Sequence, residues 1–368
     1  MILGIDGINV KGGGIIHIIN ILKFYNYKNN KFKRIIIWGN NELLSQIQND
    51  KVIKIHYPIF EKFFLLRIIW QLIFFKKEIE DKRCKIIFNL SSYNLSFFKP
   101  SLTFYQNVLP LEKSELKRYN LFYRIKFFFQ KILSLFSLKN STHNLFPSIY
   151  ARDVFLKTKY TTKKKTSVIY HGAINRFEKN YKKGTIKLIY VSTIDFYKNH
   201  DNLIKAVYSL KDMFDIELHI CGPAFKPCFN NLKNNFLLIN KDKEIVKYLK
   251  VFDENRNILN SKYDILVHAS SCESFGIPLI EGIASGLKVV CSNIQVFREI
   301  TKHFNVNYFD PKDIDSIKHA IIKAINIKLK NNNINIIKSK FSWKNCSIDT
   351  FALLEKIAYE KKNIINYS

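Results

Sequence analysis

Acidic residues are scarce in this chain. Thirty Asp and Glu stand against 59 Lys and Arg in 368 residues, a formal charge of +29. That balance points to acidic partners: nucleic acid, anionic lipid head groups or phosphorylated substrates. Arginine is scarce too, nine of the 59 cations. Lysine is the poorer reader of base edges, so the charge alone does not make a nucleic-acid binder, and a Lys/Ile/Asn bias also arises in AT-rich genomes. The six cysteines form no Cys-x-x-Cys pair, which speaks against a zinc ribbon or a disulfide framework and for reduced thiols in a cytosolic protein. Long apolar runs are missing as well. The longest, residues 63–75, contains Arg67 and Gln71 and is too short to span a bilayer. The first residues turn polar at Asp6 and glycine-rich soon after, so no signal peptide is expected.

What is present is a globular composition, 47% apolar and 24% charged, of a length suited to two domains of roughly 150–200 residues. Short apolar runs of strand length occupy residues 1–6, 34–38, 85–89 and 102–106, separated by longer helical patterns. The scheme repeats with strands at 186–192, 217–221, 264–269 and 288–291 and helices at 203–210, 278–285 and 313–327. Alternating strands and helices predict doubly wound parallel sheets. The boundaries expected are 1–170 for the first domain and 184–340 for the second, with a closing helix over about 342–368 joining the first. The basic stretch 157–166 and the turn-rich stretch 172–184 are expected to form the hinge, and the Asn-rich run 330–335 to break the last helix of the second domain.

Glycine is the other scarcity, twelve in all, and its placement is informative. Five lie between Gly4 and Gly14, and three between Gly276 and Gly286. Gly12-Gly13-Gly14 follows the first strand and precedes a helix expected to begin near Ile15. Such a loop presents N–H groups and a positive helix end to a phosphate or sugar oxygen, or is simply a tight β–α turn. It is neither a dinucleotide fingerprint nor a P-loop. The second cluster is sharper: Ser270-Ser271-Cys272-Glu273-Ser274-Phe275-Gly276-Ile277-Pro278-Leu279-Ile280-Glu281. A buried strand ends there and a helix is expected from about Pro278, where proline fits the first turn. Amides of Phe275, Gly276 and Ile277 would face an anion, and Glu281 would accept from a diol. Each glutamate taken singly reads as a solvated or dipole-compensating acid. Taken together they suit a nucleoside diphosphate carrying a sugar.

This segment, extended through Gly282-Ile283-Ala284-Ser285-Gly286-Leu287-Lys288-Val289-Val290-Cys291-Ser292, resembles the retaining glycosyltransferases of family 4, the group 1 glycosyl transferases. The stretch from Tyr190-Val191-Ser192-Thr193 through Tyr197-Lys198-Asn199-His200 to Leu203-Ile204 resembles their strand–loop–helix around the donor diphosphate. Tyr308-Phe309-Asp310-Pro311 and Phe341-Ser342-Trp343 are similar to further segments of the family, and Gly12–His17 is so more loosely. The resemblance implies a GT-B fold, two doubly wound Rossmann-like α/β domains facing a central cleft, the N-terminal one binding the acceptor and the C-terminal one the nucleotide sugar. It implies that Glu273 contacts the transferred sugar and Glu281 the ribose diol. Lys198 would bind phosphate together with the backbone of Ser274, Phe275, Gly276 and Ile277, while Gly13 and Gly14 close over the donor. Two departures stand out. Ser192-Thr193 lacks the arginine many members carry, leaving one cation or a substitute such as Arg176 or Lys226. Gln106-Asn107 occupies the neighbourhood of a histidine common in the family.

The expected activity is therefore transfer of a hexosyl unit from a nucleotide sugar to a saccharide or lipid-linked saccharide, with retention, in cell-surface polysaccharide synthesis. No cofactor and no metal is expected: Lys198 and the helix start carry the leaving-group charge, and Asp313-Ile314-Asp315 reads as surface helix. Residues 60–77 and 118–139 mix bulky apolar residues with cations. They are either core helices with a basic exposed face or helices lying on an anionic membrane surface, which is thus a candidate partner of a cytoplasmic, peripheral enzyme. His17, His56, His143 and His219 lack metal-ligand spacing and are expected to be structural or exposed. Two readings compete. One is another GT-B sugar-nucleotide enzyme, an inverting transferase or an epimerase. The other is a basic nucleic-acid binder, disfavoured because no recognition motif is present, so no nucleic-acid partner is expected.

Overall fold

The computed structural model describes residues 1–28, 30–173, 184–239, 244–249, 263–327 and 334–365. The chain divides into two compact units: Met1–Leu111 with Ile125–Gly172 and Ser342–Ser368, and Glu112–Arg124 with Ala173–Phe341.

Unit 1 is built on seven parallel strands: β1 (Ile2–Gly7), β2 (Arg34–Gly39), β3 (Val52–Ile55), β4 (Ile86–Asn89), β5 (Ser101–Phe104), β6 (His143–Phe146) and β7 (Thr166–Val168), in the order β3-β2-β1-β4-β5-β6-β7. The strands β1, β2, β4 and β5 are almost wholly buried, which explains the mainly apolar sequences of β1, β2 and β4, since helices cover both faces of a parallel sheet. In β5 the buried Ser101 and Thr103 are hydrogen-bonded. Unit 2 carries β8 (Ile186–Val191), β9 (Ile216–Cys221), β10 (Val246–Leu249), β11 (Ile265–His268), β12 (Lys288–Ser292) and β13 (Val306–Phe309), in the order β10-β9-β8-β11-β12-β13. In both sheets the order reverses beside the first strand, between β1 and β4 and between β8 and β11. Ligands of open parallel sheets bind outside the carboxyl ends of strands at such switch points.

Seven helices frame the switch points or shape the surface of unit 1. They are α1 (Gly13–Lys23), α2 (Phe64–Ile73), α3 (Leu121–Asn140), α4 (His200–Tyr208), α5 (Ile277–Ala284), α6 (Ile314–Asn326) and α7 (Trp343–Ile365). The closing helix α7 packs on α1, β4 and β5. There Ser347 donates to the Ile21 carbonyl at 2.7 Å and Phe351 stacks on Tyr25 at 3.9 Å. All six cysteines are buried and free of disulfides.

The structure departs from the sequence reading at several points. Residues 112–124 belong to unit 2, although they fall inside the 1–170 expected for the first domain. The stretch 157–166 is no hinge. It lies within unit 1 and leads through a 3-10 turn, Lys163–Lys165, into edge strand β7. The unit boundary falls at Gly172–Ala173, while most of the other expected hinge, 174–183, and most of the 330–335 break lie outside the described residues. Helix α1 begins two residues earlier than Ile15. Helix α6 begins one residue later than Asp313, which caps it by accepting from the Asp315 and Ser316 amides; Asp313 and Asp315 are both exposed, as the surface reading expects.

Candidate functional site

The site in unit 2 is assembled from the two loops that leave the switch-point strands. After β8, Asp195 caps a 3-10 turn, Phe196–Lys198, by accepting from the Phe196 amide at 2.7 Å. Asn199 then adopts φ +52° and starts α4. Its side chain ties the turn down, donating to the Ala269 carbonyl at 2.8 Å and accepting from Arg118 at 2.8 Å. The Tyr190 hydroxyl donates to the Lys198 carbonyl at 2.8 Å, and the Ser271 amide donates to the Tyr197 carbonyl at 2.8 Å. Backbone and buried side chains thus lock both loops together.

Within that frame the Lys198 ammonium donates to Glu273 Oε1. The lysine side chain is 9% exposed and the glutamate 16%. Burial alone would lower the Lys198 pKa; the charge of Glu273, followed by Tyr190, outweighs it and holds the lysine above its usual value. Lys198 is therefore a fixed, ionised cation. His268, at the end of β11, places Nε2 3.7 Å from the same carboxylate oxygen. Its ring is buried against Phe297 and Tyr190, and desolvation, then the nearby Lys198 charge, holds it well below the usual histidine range. His200 accepts or donates at Ser192 Oγ, 3.1 Å away, and burial lowers its pKa to about 3. Both rings are neutral at pH 7.

Downstream of Glu273, Ser274 is half-buried and Phe275 buried. Gly276 caps α5 at φ +106°, with Pro278 in the first turn. A side chain at Gly276 would enter the left-handed region and bring its Cβ to 2.8 Å from Phe297, so the loop requires glycine there. The first turn of α5, starting at Ile277, directs N–H groups without partners inside the helix toward the loop. Glu281 lies half-buried one turn further along.

The structure thus brings Lys198 and Glu273 into contact and places Gly276 and Ile277 next in the chain. Gly13 and Gly14 belong to unit 1, where Gly12 caps α1 at φ +50° and Gly14 packs close to Val10 and Gln106. Gln106 donates to the Leu90 carbonyl and Asn107 accepts from the Leu109 amide, which accounts for both residues structurally. Lys226 is exposed at the start of the helix Lys226–Ile239; Arg176 lies outside the described residues. Among the described residues no group of three or more His, Cys, Asp or Glu could hold a metal ion.

Arg118, Asn199 and His268 were not legible as site residues. Arg118 comes from a segment some 80 positions away in sequence, and nothing local marks it. His268 had a usable signal, a polar residue closing an otherwise apolar strand. Of the other histidines, His17 is buried and joined to His171, Nδ1 to Nδ1, at 3.1 Å, while His56 pairs with Glu61 at the surface.

Residues 173–340 match the family model "Glycosyl transferases group 1". The chain is 31% identical over 206 residues to the O-antigen chain mannosyltransferase RfbU of Salmonella typhimurium, a match covering 54% of this chain and 57% of that relative's length. The chain thus spans little more than half the length of that relative. It is 25% identical over 334 residues to the capsular polysaccharide biosynthesis glycosyltransferase CapH of Staphylococcus aureus, covering 88% and 91%. Among solved structures, Anabaena HepE in complex with UDP and glucose superposes with a TM-score of 0.73 at 17% identity, covering 96% of this chain and 99% of that one. That likeness shows the fold, which is the two-domain GT-B fold.

Proposed function

We propose that this protein is a nucleotide-sugar-dependent glycosyltransferase of the retaining type, transferring a hexosyl unit to a saccharide or lipid-linked saccharide in cell-surface polysaccharide synthesis. The observation that carries the reading is the buried Lys198–Glu273 pair at the switch point of unit 2, beside the α5 start and inside the matched domain. The O-antigen and capsule relatives support the process, and the UDP-bound neighbour supports the donor class.

The chemistry follows from where charge develops. As the bond between the anomeric carbon and the phosphate oxygen breaks, its electron pair moves onto the leaving diphosphate. The Lys198 ammonium and the amides at the start of α5 stabilise that charge without reorganising, because both are already fixed. Glu273 keeps Lys198 ionised and aimed, and its other oxygen is available to the hydroxyls of the transferred sugar. Glu281 accepts from the ribose diol. In the retaining course the acceptor oxygen arrives on the face from which the diphosphate departs and releases its proton to a departing phosphate oxygen. Lys198 and the α5 amides supply the positive charge that this reading places on the leaving diphosphate, so the proposed reaction is written without a metal.

The enzyme acts at the cytoplasmic side of a membrane to which it is peripherally attached. The test is a screen of UDP-, GDP- and ADP-sugars for hydrolysis and transfer, with Lys198→Ala as the control and EDTA in a parallel arm. Turnover of one donor that persists in EDTA and collapses in the variant supports the reading. Stabilisation by oligonucleotides with a steep salt dependence, and by no nucleoside diphosphate, would replace it with nucleic-acid binding.

A further inference from the structure

A surface helix of a globular protein ordinarily buries its apolar stripe and shows its polar one to water. Two helices of unit 1 do the reverse. In α2 the polar side chains Arg67 and Gln71, one turn apart, are 8% and 1% exposed. Gln71 donates to Asp6 Oδ2 at 2.7 Å beneath the helix. The residues turned outward are apolar, with Leu65 71% and Ile73 62% exposed. Exposed Phe63 and Phe74 flank them, with Lys62, Lys76 and Lys77 just beyond.

Helix α3, which belongs to unit 1 from Ile125 onward, is inverted in the same way. Its buried residues are Ser134, Ser137 and Leu138. Ser137 Oγ accepts from the Asn94 amide at 2.8 Å. Phe128 and Phe129 stand out into solvent, each 58% exposed, as do Ile125, Ile132 and Phe136 in part. The helix also carries Arg124, Lys126, Lys131 and Lys139 and no Asp or Glu.

Exposed apolar side chains scattered singly need no explanation, but whole helix faces of them do. On α3 aromatic and aliphatic residues are interleaved with cations and no acid is present, and at α2 lysines flank the apolar face. Both patterns match the two layers of an anionic bilayer surface, acyl chains below and negative head groups at the level of the lysines. A soluble protein partner would have to supply both a large apolar face and negative charge at each helix.

We infer that α2 and α3 dock unit 1 on an anionic lipid surface by inserting their outward apolar faces into the boundary between head groups and acyl chains, with the lysines holding the head groups. The inward polar residues are what make this possible. Gln71 on Asp6 and Ser137 on Asn94 anchor each helix without using its apolar face, so that face remains available for lipid. Attachment is therefore not purely electrostatic, and part of it survives salt. No helix among the described residues is long and apolar enough to cross a membrane, which suits helices lying in the plane of the interface. Lipid docking of this kind deepens the peripheral attachment proposed above and rests on it, while the transfer chemistry is tested separately by turnover in solution.

Flotation of the full chain with vesicles of phosphatidylcholine, alone or mixed with phosphatidylglycerol, tests it. The wild type should float with the mixed vesicles at low salt and retain part of its binding at about 0.5 M KCl, where the Debye length is a few ångströms. The variants Leu65→Ser/Leu72→Ser/Ile73→Ser and Phe128→Ser/Phe129→Ser should each weaken binding about tenfold or more. Because the substituted side chains are exposed, thermal unfolding and nucleotide binding should be unchanged. Lys126→Glu/Lys131→Glu should lose the preference for phosphatidylglycerol. Failure to float at low salt, complete release by salt, or serine variants that float like the wild type would each overturn the inference. So would a lipid-free dimer that the serine variants convert to monomer, since a second copy would then cover these faces.

Discussion

The two units share one architecture and use it in opposite ways. Each is a parallel sheet with a switch point, and each gathers buried polar groups there. In unit 2 those groups include a charged pair, Lys198 and Glu273, at the mouth of a glycine-capped helix. In unit 1 they are Asp6, Gln71 and Arg67, which interact with one another beneath α2. Burial raises the Asp6 pKa to about 6, against the opposing pulls of the Ile8 amide, Arg67 and Gln71. Polar groups arranged around a cation form a site for an anion. Polar groups matched to one another form an anchor for a helix. On the readings proposed above, the same fold position serves chemistry in one unit and surface presentation in the other.

The largest effect that would sharpen this contrast is at Lys198. Lys198→Ala should lower turnover by about 10²–10³-fold, roughly 3–4 kcal/mol of transition-state stabilisation, and donor affinity by less. Lys198→Met, which restores the volume, should fall as far, so that lost charge and lost packing are separated. Circular dichroism checks that both variants are folded, since Glu273 is left without its cation. Wild-type turnover in both variants would assign the leaving-group charge to another residue.

Acid is the next lever, and it acts on both units. Burial lowers His171 in unit 1 and His200 in unit 2 to about 3, and lowers His17 and His268 as well. A histidine lowered in the folded state binds fewer protons folded than unfolded. Stability is therefore full above the unfolded pKa near 6.5 and falls as the pH drops below it, until the folded pKa is reached. At pH 5 His171 and His200 each withdraw about 2 kcal/mol relative to pH 7. Asp6, raised to about 6, has the opposite sign: the folded state holds its proton more tightly, returning about 1 kcal/mol over the same interval. Asp195, raised by burial, acts in the same direction as Asp6 in unit 2. Melting temperatures should fall from pH 7 to pH 5, and a rise would contradict the neutral, buried state of these rings.

Glu281→Ala comes third. Loss of a charged acceptor for the ribose diol should weaken nucleoside diphosphate binding by roughly 1.5–3 kcal/mol, read by calorimetry. Unchanged affinity in a folded variant would remove Glu281 from the site.

These effects also show what the sequence could express. The central strands were legible because a strand buried on both faces must be apolar throughout, as Arg34–Gly39 and Ile265–His268 are beyond their first or last residue. The edge strands β3, β7, β10 and β13 were not, because a half-covered strand tolerates Lys54, Ser167, Lys247 or Asn307 and loses the pattern, while buried β6 is short and opens on the polar pair His143-Asn144. Lys198, Glu273 and Gly276 were legible because spacing within one loop survives in sequence. Arg118, joined to Asn199 across 81 positions, leaves no such trace. The orientation of α2 was hidden for a different reason. Ten residues with polar side chains at only two positions one turn apart define a face, but periodicity does not say which side of it is inward. Asp6, buried at the end of β1, decides that by taking Gln71 as its partner.

The smallest effect is a difference between two glycines, one in each unit. Gly12 and Gly276 both cap a helix with positive φ, +50° and +106°, so alanine at either position carries backbone strain of about 1–3 kcal/mol. Their surroundings differ. A Cβ on Gly12 meets nothing within 4 Å, whereas one on Gly276 comes within 2.8 Å of the Phe297 ring. That ring is fully buried and packs against His268, so it has little room to retreat. Gly276→Ala should therefore cost about 1 kcal/mol more than Gly12→Ala in denaturant titrations. Phe297→Leu, by shortening the obstructing side chain, should bring the two costs together without altering the cost at Gly12. Equal costs in the wild-type background would mean that the α5 cap is held by its backbone alone. The predicted inequality means that Phe297 connects the helix start to His268, and through it to the carboxylate that holds Lys198. Gly276→Ala should then also disturb nucleotide binding, which Gly12→Ala would leave to its own loop.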